Sequence, residues 1–141
     1  MIESVYTLLA QVGFHHPLHP ALTHIPMGMV MGCFLFGFLV RYAKKPAFRT
    51  TCLHCAILAL IFMVPTILAG LLDWQHRFGG VYQPLILIKM VLAAALTGLL
   101  GYSIWLNKQK AETNRLFIVY TLCLVCAVGL GFAGGELVYG G

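Results

Sequence analysis

The sequence predicts an all-α membrane protein: an antiparallel bundle of four transmembrane helices with a short interfacial helix before it. Three observations predict this. Of 141 residues, 60% are hydrophobic and only 9% charged, whereas soluble domains carry about 25% charged residues. The apolar residues gather into four runs, each close to the roughly 20 residues of helix that cross a hydrocarbon core of about 30 Å. The basic residues are segregated: Arg41, Lys44, Lys45 and Arg49 follow the first run, and Lys108, Lys110 and Arg115 follow the third.

The elements follow in order. The first 12 residues, MIESVYTLLAQV, place Ile2, Val5, Leu8, Leu9 and Val12 on one helical face, the pattern of a helix lying on the membrane surface. No basic region and small-residue cleavage site precede the first span, so no separate signal peptide is expected. Residues 1–20 are read as this interfacial segment and 21–141 as the transmembrane domain. The spans are expected at 21–42, 51–72, 84–106 and 115–134. The first opens near Pro20 or Pro26. If Pro20 begins it, Pro26 lies inside as a kink; if it starts later, Pro26 is a first-turn proline. The second carries Pro65, which removes one backbone hydrogen bond and should bend it. The third begins after Pro84, and the fourth ends in the glycines around Gly134. Short connections make sequential helices antiparallel neighbours.

Lysine and arginine set the orientation, because loops rich in them stay in the cytoplasm. Both basic loops are therefore inside, and both termini and the loop 73–83 outside. The net charge of +5 is accounted for by topology and calls for no nucleic-acid partner.

The outer end then collects most of the titratable side chains. His15, His16, His19, His24 and His76, five of six histidines, fall there with Glu3, Asp73 and Glu136, three of four acids. The entry to helix one, HHPLHPALTHIPMG, holds four of these histidines, with His24 at shallow depth. Helix two leaves through GLLDWQHRFGG, bringing Asp73, Trp74 and His76 to the same level, Trp74 suiting the interface belt. Lys89 lies five residues past Pro84, where an ammonium is costly and is expected to face the interior with Asp73 or Glu136 as partner, or to snorkel outward. Groups from all four helix ends converging on one level is how cofactor sites are built in bundles.

The motif HPALTHIPMG, with the blocks GLLDW and GGELVY, resembles the bacterial membrane family called domain of unknown function 2231, over most of the chain and on the same four-helix plan. Ile25 stands where phenylalanine is usual, and Glu136 where histidine is common. Members of that family occur joined to electron-transfer modules such as Rieske or c-type cytochrome domains. The resemblance therefore implies a redox role, here in a bacterial inner membrane with both termini periplasmic as the basic loops predict.

Haem b is the cofactor these residues suit. It needs one or two neutral imidazoles, small residues against the macrocycle, and cations for its propionates. His24 with His19 or His76 supply candidate ligands, and His16 is nearby. Gly28 lies one turn below His24, and Lys89 or Arg77 could meet a propionate. No CxxCH motif is present, so the haem would be non-covalent. The expected function is electron transfer between the quinone pool and a periplasmic redox partner such as a Rieske or c-type cytochrome. Alternatives are a metal or small-molecule binding module, with His19, His24 and His76 as metal ligands beside Asp73 and Glu136, and a structural subunit of a larger complex.

Other features have simpler readings. Gly28 and Gly32 form a GxxxG pair, commonest at helix interfaces. Met27, Met29 and Met31 point in different directions on a helix and cannot make one copper cluster. The pairs Cys52/Cys55 and Cys123/Cys126 have the spacing of the vitamin K epoxide reductase type, which they resemble, but they fall in the cytoplasmic half, a reducing side, and read as packing cysteines. His54 keeps a second cofactor at that end in view. No phosphate loop, dinucleotide fingerprint, nucleophile elbow or HExxH is present. Thr66, Thr97, Ser103 and Thr121 alone are polar in mid-membrane, which disfavours an ion channel. Small faces on helix three (Ala94, Gly98, Gly101) and helix four (Ala127, Gly131, Gly134) suit internal packing or a homodimer, the latter preferred because so small a bundle has limited interior for a macrocycle.

Overall fold

The computed structural model describes residues 18–81 and 83–139 together with Thr7, Gln11 and Gly13. His15 and His16, and the expected interfacial helix except for the helical Thr7 and Gln11, lie outside the described residues. The rest forms four long helices, α1 (Leu18–Arg41), α2 (Phe48–Phe78), α3 (Pro84–Lys108) and α4 (Thr113–Tyr139), with no strand among the described residues. Each contains a stretch long and apolar enough to cross a membrane, with mean hydropathy between 1.7 and 2.6.

The helices overrun the expected spans for identifiable reasons. α1 begins at Leu18, so Pro20 falls in the first turn, where a missing N–H costs nothing because that donor has no intrahelical partner. Pro26 is interior and buried. α2 continues through Asp73, Trp74, Gln75 and His76: polar residues end burial in lipid, but they do not end a helix. The stop is Gly79, in the left-handed conformation (φ 56°), whose N–H bonds Trp74 O. Gly80 is also left-handed, and the Trp74 indole N–H donates to Val81 O at 2.9 Å, closing the loop. α3 then starts on Pro84 at its first turn, the position that suits a fixed φ and an absent donor. The α1–α2 and α3–α4 loops each turn on a left-handed lysine, Lys44 and Lys110, both with φ 53°.

The helices pack in a ring, each beside its neighbours in sequence, with α4 closing back on α1 and no close backbone approach across either diagonal among the described residues. Contacts fix which ends meet. His19 and Cys33 of α1 lie opposite Asp73 and Cys52 of α2. Met27 and Gly37 meet Gly131 and Tyr120 of α4, and Leu92 of α3 meets Gly129 of α4. One end of the bundle thus holds His19, Asp73 and Lys89, and the other holds Arg49, Asn107 and Ala111.

Small residues make up much of the core. Cys33, Ala56, Ala59, Cys123 and Ala127 are buried around Val30, Leu96, Leu100 and Tyr120, whereas Val91 is 68% and Phe132 71% exposed. This suits a bilayer, where lipid replaces water around large apolar side chains and helices associate by close approach. The small face of α4 is used internally: Ala127 is buried, Gly131 faces the Met27 methyl and Gly134 faces Lys89. That of α3 points out, since nothing lies within 4 Å of a Cβ built on Gly98 or Gly101. The GxxxG pair divides likewise, Gly32 packing on Cys55 Sγ while Gly28 is open.

The mid-helix hydroxyls are satisfied locally. Thr66, Thr97 and Thr121 each donate to the carbonyl four residues earlier, and Ser103 to Leu100 O. Such back-bonding hides a hydroxyl in hydrocarbon and offers no polar path through it.

Candidate functional site: a polar corner around His19

Three residues of α2 build the floor of this corner. Thr66, Gly70 and Asp73 follow one another at i, i+4 and i+7 and so share a face, and that face meets the first turn of α1. The backbone N–H of His19 donates to Asp73 Oδ2 at 2.8 Å. This N–H is one of the first-turn donors that a helix cannot satisfy itself. Asp73 therefore caps α1 from another helix, and its negative charge sits at the positive end of the α1 dipole.

The imidazole is fixed as well. His19 Nδ1 lies 2.9 Å from Thr66 O, and a carbonyl only accepts, so Nδ1 carries the proton in this bond. Nε2 is left as the nitrogen free to accept or ligate. The ring lies against Gly70, where a built Cβ would stand 3.0 Å from Nδ1 and 3.2 Å from Cε1. Thr66 Oγ1 bonds Phe62 O at 2.7 Å and approaches Leu22 O at 3.4 Å, holding the next turn of α1 against the same face.

Lys89 enters from α3. It is half-buried, and its Nζ is 3.7 Å from the built Cβ of Gly134 on α4. Asp73, only 6% exposed, interacts electrostatically with Lys89, and both act on His19. Of the two acids expected to partner Lys89, Asp73 is buried and Glu136 is exposed.

The remaining sequence candidates are spread out. His24 is exposed, and five residues from His19 it projects roughly 140° around the helix from it at 3.6 residues per turn. Gly28, one turn further, is exposed beside it. His76 is exposed three residues beyond Asp73, and the Trp74 indole is engaged with Val81. His16 lies outside the described residues. Among the described residues no three His, Cys, Asp or Glu side chains are grouped as metal ligands, so His19, His24 and His76 do not assemble into one metal centre in this chain. Among the described candidates, His19, Asp73 and Lys89 share this corner.

Sequence reasoning missed Thr66 and Gly70. Their signal was the i, i+4, i+7 spacing to Asp73, hidden because a threonine and a glycine in an apolar run read as packing.

The cysteines show the packing they suggested. Cys33 Sγ approaches Cys52 O at 3.5 Å and Cys52 Sγ approaches Cys33 O at 3.8 Å, a reciprocal pair between α1 and α2, and all five cysteines are free. His54 is exposed on α2.

Among known proteins, residues 15–141 match the family described as predicted membrane protein (DUF2231). No curated protein and no solved structure matches the chain. The match covers all four helices and the whole His19 corner, and its description agrees with four membrane-spanning helices, so the chain belongs to the DUF2231 family of predicted membrane proteins.

Proposed function

We propose that this protein is an antiparallel four-helix protein of the bacterial inner membrane, with both termini periplasmic, that binds haem b near its outer end. It would pass electrons between the quinone pool and a periplasmic partner such as a Rieske or c-type cytochrome. The observation that supports this best is the state of His19. An imidazole whose Nδ1–H is held by a backbone carbonyl has its tautomer and ring plane set, and presents Nε2 as a lone-pair nitrogen, the arrangement found behind metal-ligating histidines. Lys89 stands in the same corner as a cation for a propionate. His24, exposed with the bare Gly28 one turn along, offers a second imidazole and a flat surface on another face of α1. Because the core of one copy is filled, His24 suits a haem held between two copies, in line with a homodimer. A b-type haem supplies one-electron redox chemistry; the chain supplies ligand orientation and charge.

A second reading is favoured by a specific observation. His19 and Asp73 are both used in fastening α1 to α2, which is the task expected of them in a structural subunit of a larger membrane redox complex. Absorbance of the purified protein, expressed with haem supply, separates the two. A Soret band that sharpens on reduction, and is lost in His19→Ala or His24→Ala but kept in His54→Ala, supports the haem protein. A colourless, folded wild type sinks it and leaves the structural subunit.

A further inference from the structure

The first helix is interrupted where it passes the His19 corner. Pro26 lies inside α1, and its ring nitrogen has no hydrogen to give the carbonyl four residues back, which is Leu22 O. The ring also crowds that carbonyl. In hydrocarbon a carbonyl so freed must be met by another group, and the group that approaches it comes from α2: Thr66 Oγ1 stands 3.4 Å from Leu22 O. Thr66 is buried and carries a single hydroxyl hydrogen. Its oxygen also lies 2.7 Å from Phe62 O, which in an α-helix already receives the backbone N–H of Thr66 itself. One hydrogen thus serves two carbonyls, and of the two only Leu22 O lacks a helical donor. α2 is weakened at the same place, since Pro65 deprives Ile61 O in the same way.

The part of α1 on the His19 side of this break, Leu18–Ile25, is a short arm. It is about two turns long, well below the roughly 12–15 residues that an isolated helix needs to hold itself. Three polar contacts fasten it to α2: Thr66 Oγ1 to Leu22 O, His19 N–H to Asp73 and His19 Nδ1 to Thr66 O. Thr23, the arm's own hydroxyl, bonds Pro20 O within the arm and adds nothing across the interface. Beneath the arm lies the buried Asp73.

We propose that Leu18–Ile25 is a hinged lid over Asp73, pivoting at Pro26 and latched by the Thr66 hydroxyl. Closed, the hydroxyl covers Leu22 O. Open, it stays on Phe62 O, which accepts it at the shorter distance, so release strands no hydroxyl hydrogen on α2 and the latch is light. Opening uncovers the Asp73 carboxylate and draws His19 off Thr66 O. The inference requires neither a haem nor a fixed orientation in the membrane.

The test uses the purified full-length chain in detergent and follows hydrogen–deuterium exchange by mass spectrometry. Residues 18–25 report the arm, which cannot keep its helical bonds once off α2, and residues 30–41 of the same helix are the reference. Thr66→Val keeps the shape and removes the hydroxyl, so exchange over 18–25 should rise about tenfold, the scale of one lost hydrogen bond, while 30–41 keeps its wild-type rate. Thr66→Ser, which returns the hydroxyl, should restore slow exchange. Pro26→Ala supplies Leu22 O with an N–H from its own helix, so in that background Thr66→Val should change little. No acceleration in Thr66→Val, or equal acceleration over both segments, overturns the hinged lid. A Thr66→Ser as fast as Thr66→Val, or an undiminished effect of Thr66→Val beside Pro26→Ala, overturns the latch. The first two comparisons decide the matter if Pro26→Ala does not fold.

Discussion

At the His19 end, α1 is tied to α2 by three polar contacts that cross between helices: His19 N–H to Asp73, His19 Nδ1 to Thr66 O, and Thr66 Oγ1 near Leu22 O. At the Arg49 end the polar contacts are Arg49 to Ala111 O and Asn107 Nδ2 to Tyr120 Oη at 2.7 Å, and Arg41 Nε has no partner. The first end is short of cations and has an acid buried at the helix junction. The second has a surplus of cations and no buried acid among the described residues. The same rule of polar satisfaction therefore gives opposite outcomes. Where donors and acceptors balance, the end is closed by the chain itself; where they do not, a donor such as Arg41 Nε stays buried without an acceptor.

The largest expected effect lies at Asp73. Removing its buried carboxylate strands the first-turn donor of α1, so Asp73→Ala should cost about 3 kcal/mol, the upper range for hydrogen bonds to a charged group. Asp73→Asn keeps an acceptor for His19 N–H and should cost about half as much. Denaturant unfolding in detergent measures both. Unfolding of Asp73→Ala indistinguishable from wild type would mean that this end is not closed by the cap.

Gly70 tests the imidazole seat independently of charge. A methyl there would press on Nδ1 and Cε1 at 3.0 and 3.2 Å, and the ring cannot move off without lengthening its bond to Thr66 O. Gly70→Ala should thus destabilise by about 2 kcal/mol, within the usual range for overpacking. Truncating the ring makes room, so His19→Ala with Gly70→Ala should cost clearly less than the sum of the two single changes. Gly98→Ala, which adds a methyl to open space, should be neutral or slightly stabilising through helix propensity of up to about 1 kcal/mol. If Gly70→Ala behaves like Gly98→Ala, the ring is not held.

The contrast also explains what was legible from the residues alone. The four helices were, because burial in lipid imposes apolar runs of fixed length, and the clustering of Arg41, Lys44, Lys45 and Arg49 separated one end from the other. Asp73 and Glu136 were both legible as acids near the level of Lys89, since few charges compete there. The roles inside the corner were not. His19 and His24 look equivalent in HPALTHIPMG, and only the rotation of the helix turns one onto α2 and the other outward. The helix ends were misplaced because polarity was taken as a stop at Leu72, whereas the actual stop needs the left-handed backbone of Gly79.

The smallest expected effect concerns the loops of the Arg49 end. Lys44 and Lys110 both occupy the left-handed region that glycine adopts without strain, and Lys45 N–H returns to Leu39 O at 3.3 Å across the first of these turns. A non-glycine residue there costs about 1–2 kcal/mol, part of which is recovered because lysine loses less backbone entropy on folding than glycine does. Lys44→Gly and Lys110→Gly should therefore each stabilise the detergent-solubilised protein, by about 0.5–1 kcal/mol. In the membrane the balance differs, since these two lysines belong to the seven basic residues by which the positive-inside rule expects these loops to stay in the cytoplasm. The double variant should be more stable once purified yet insert less uniformly, with a fraction of copies inverted in a protease-accessibility assay on membrane vesicles. Stabilisation without any inversion would mean that Arg41, Lys45, Arg49, Lys108 and Arg115 suffice for topology. No stabilisation would mean that the lysine side chains hold these turns by contacts that offset the left-handed strain.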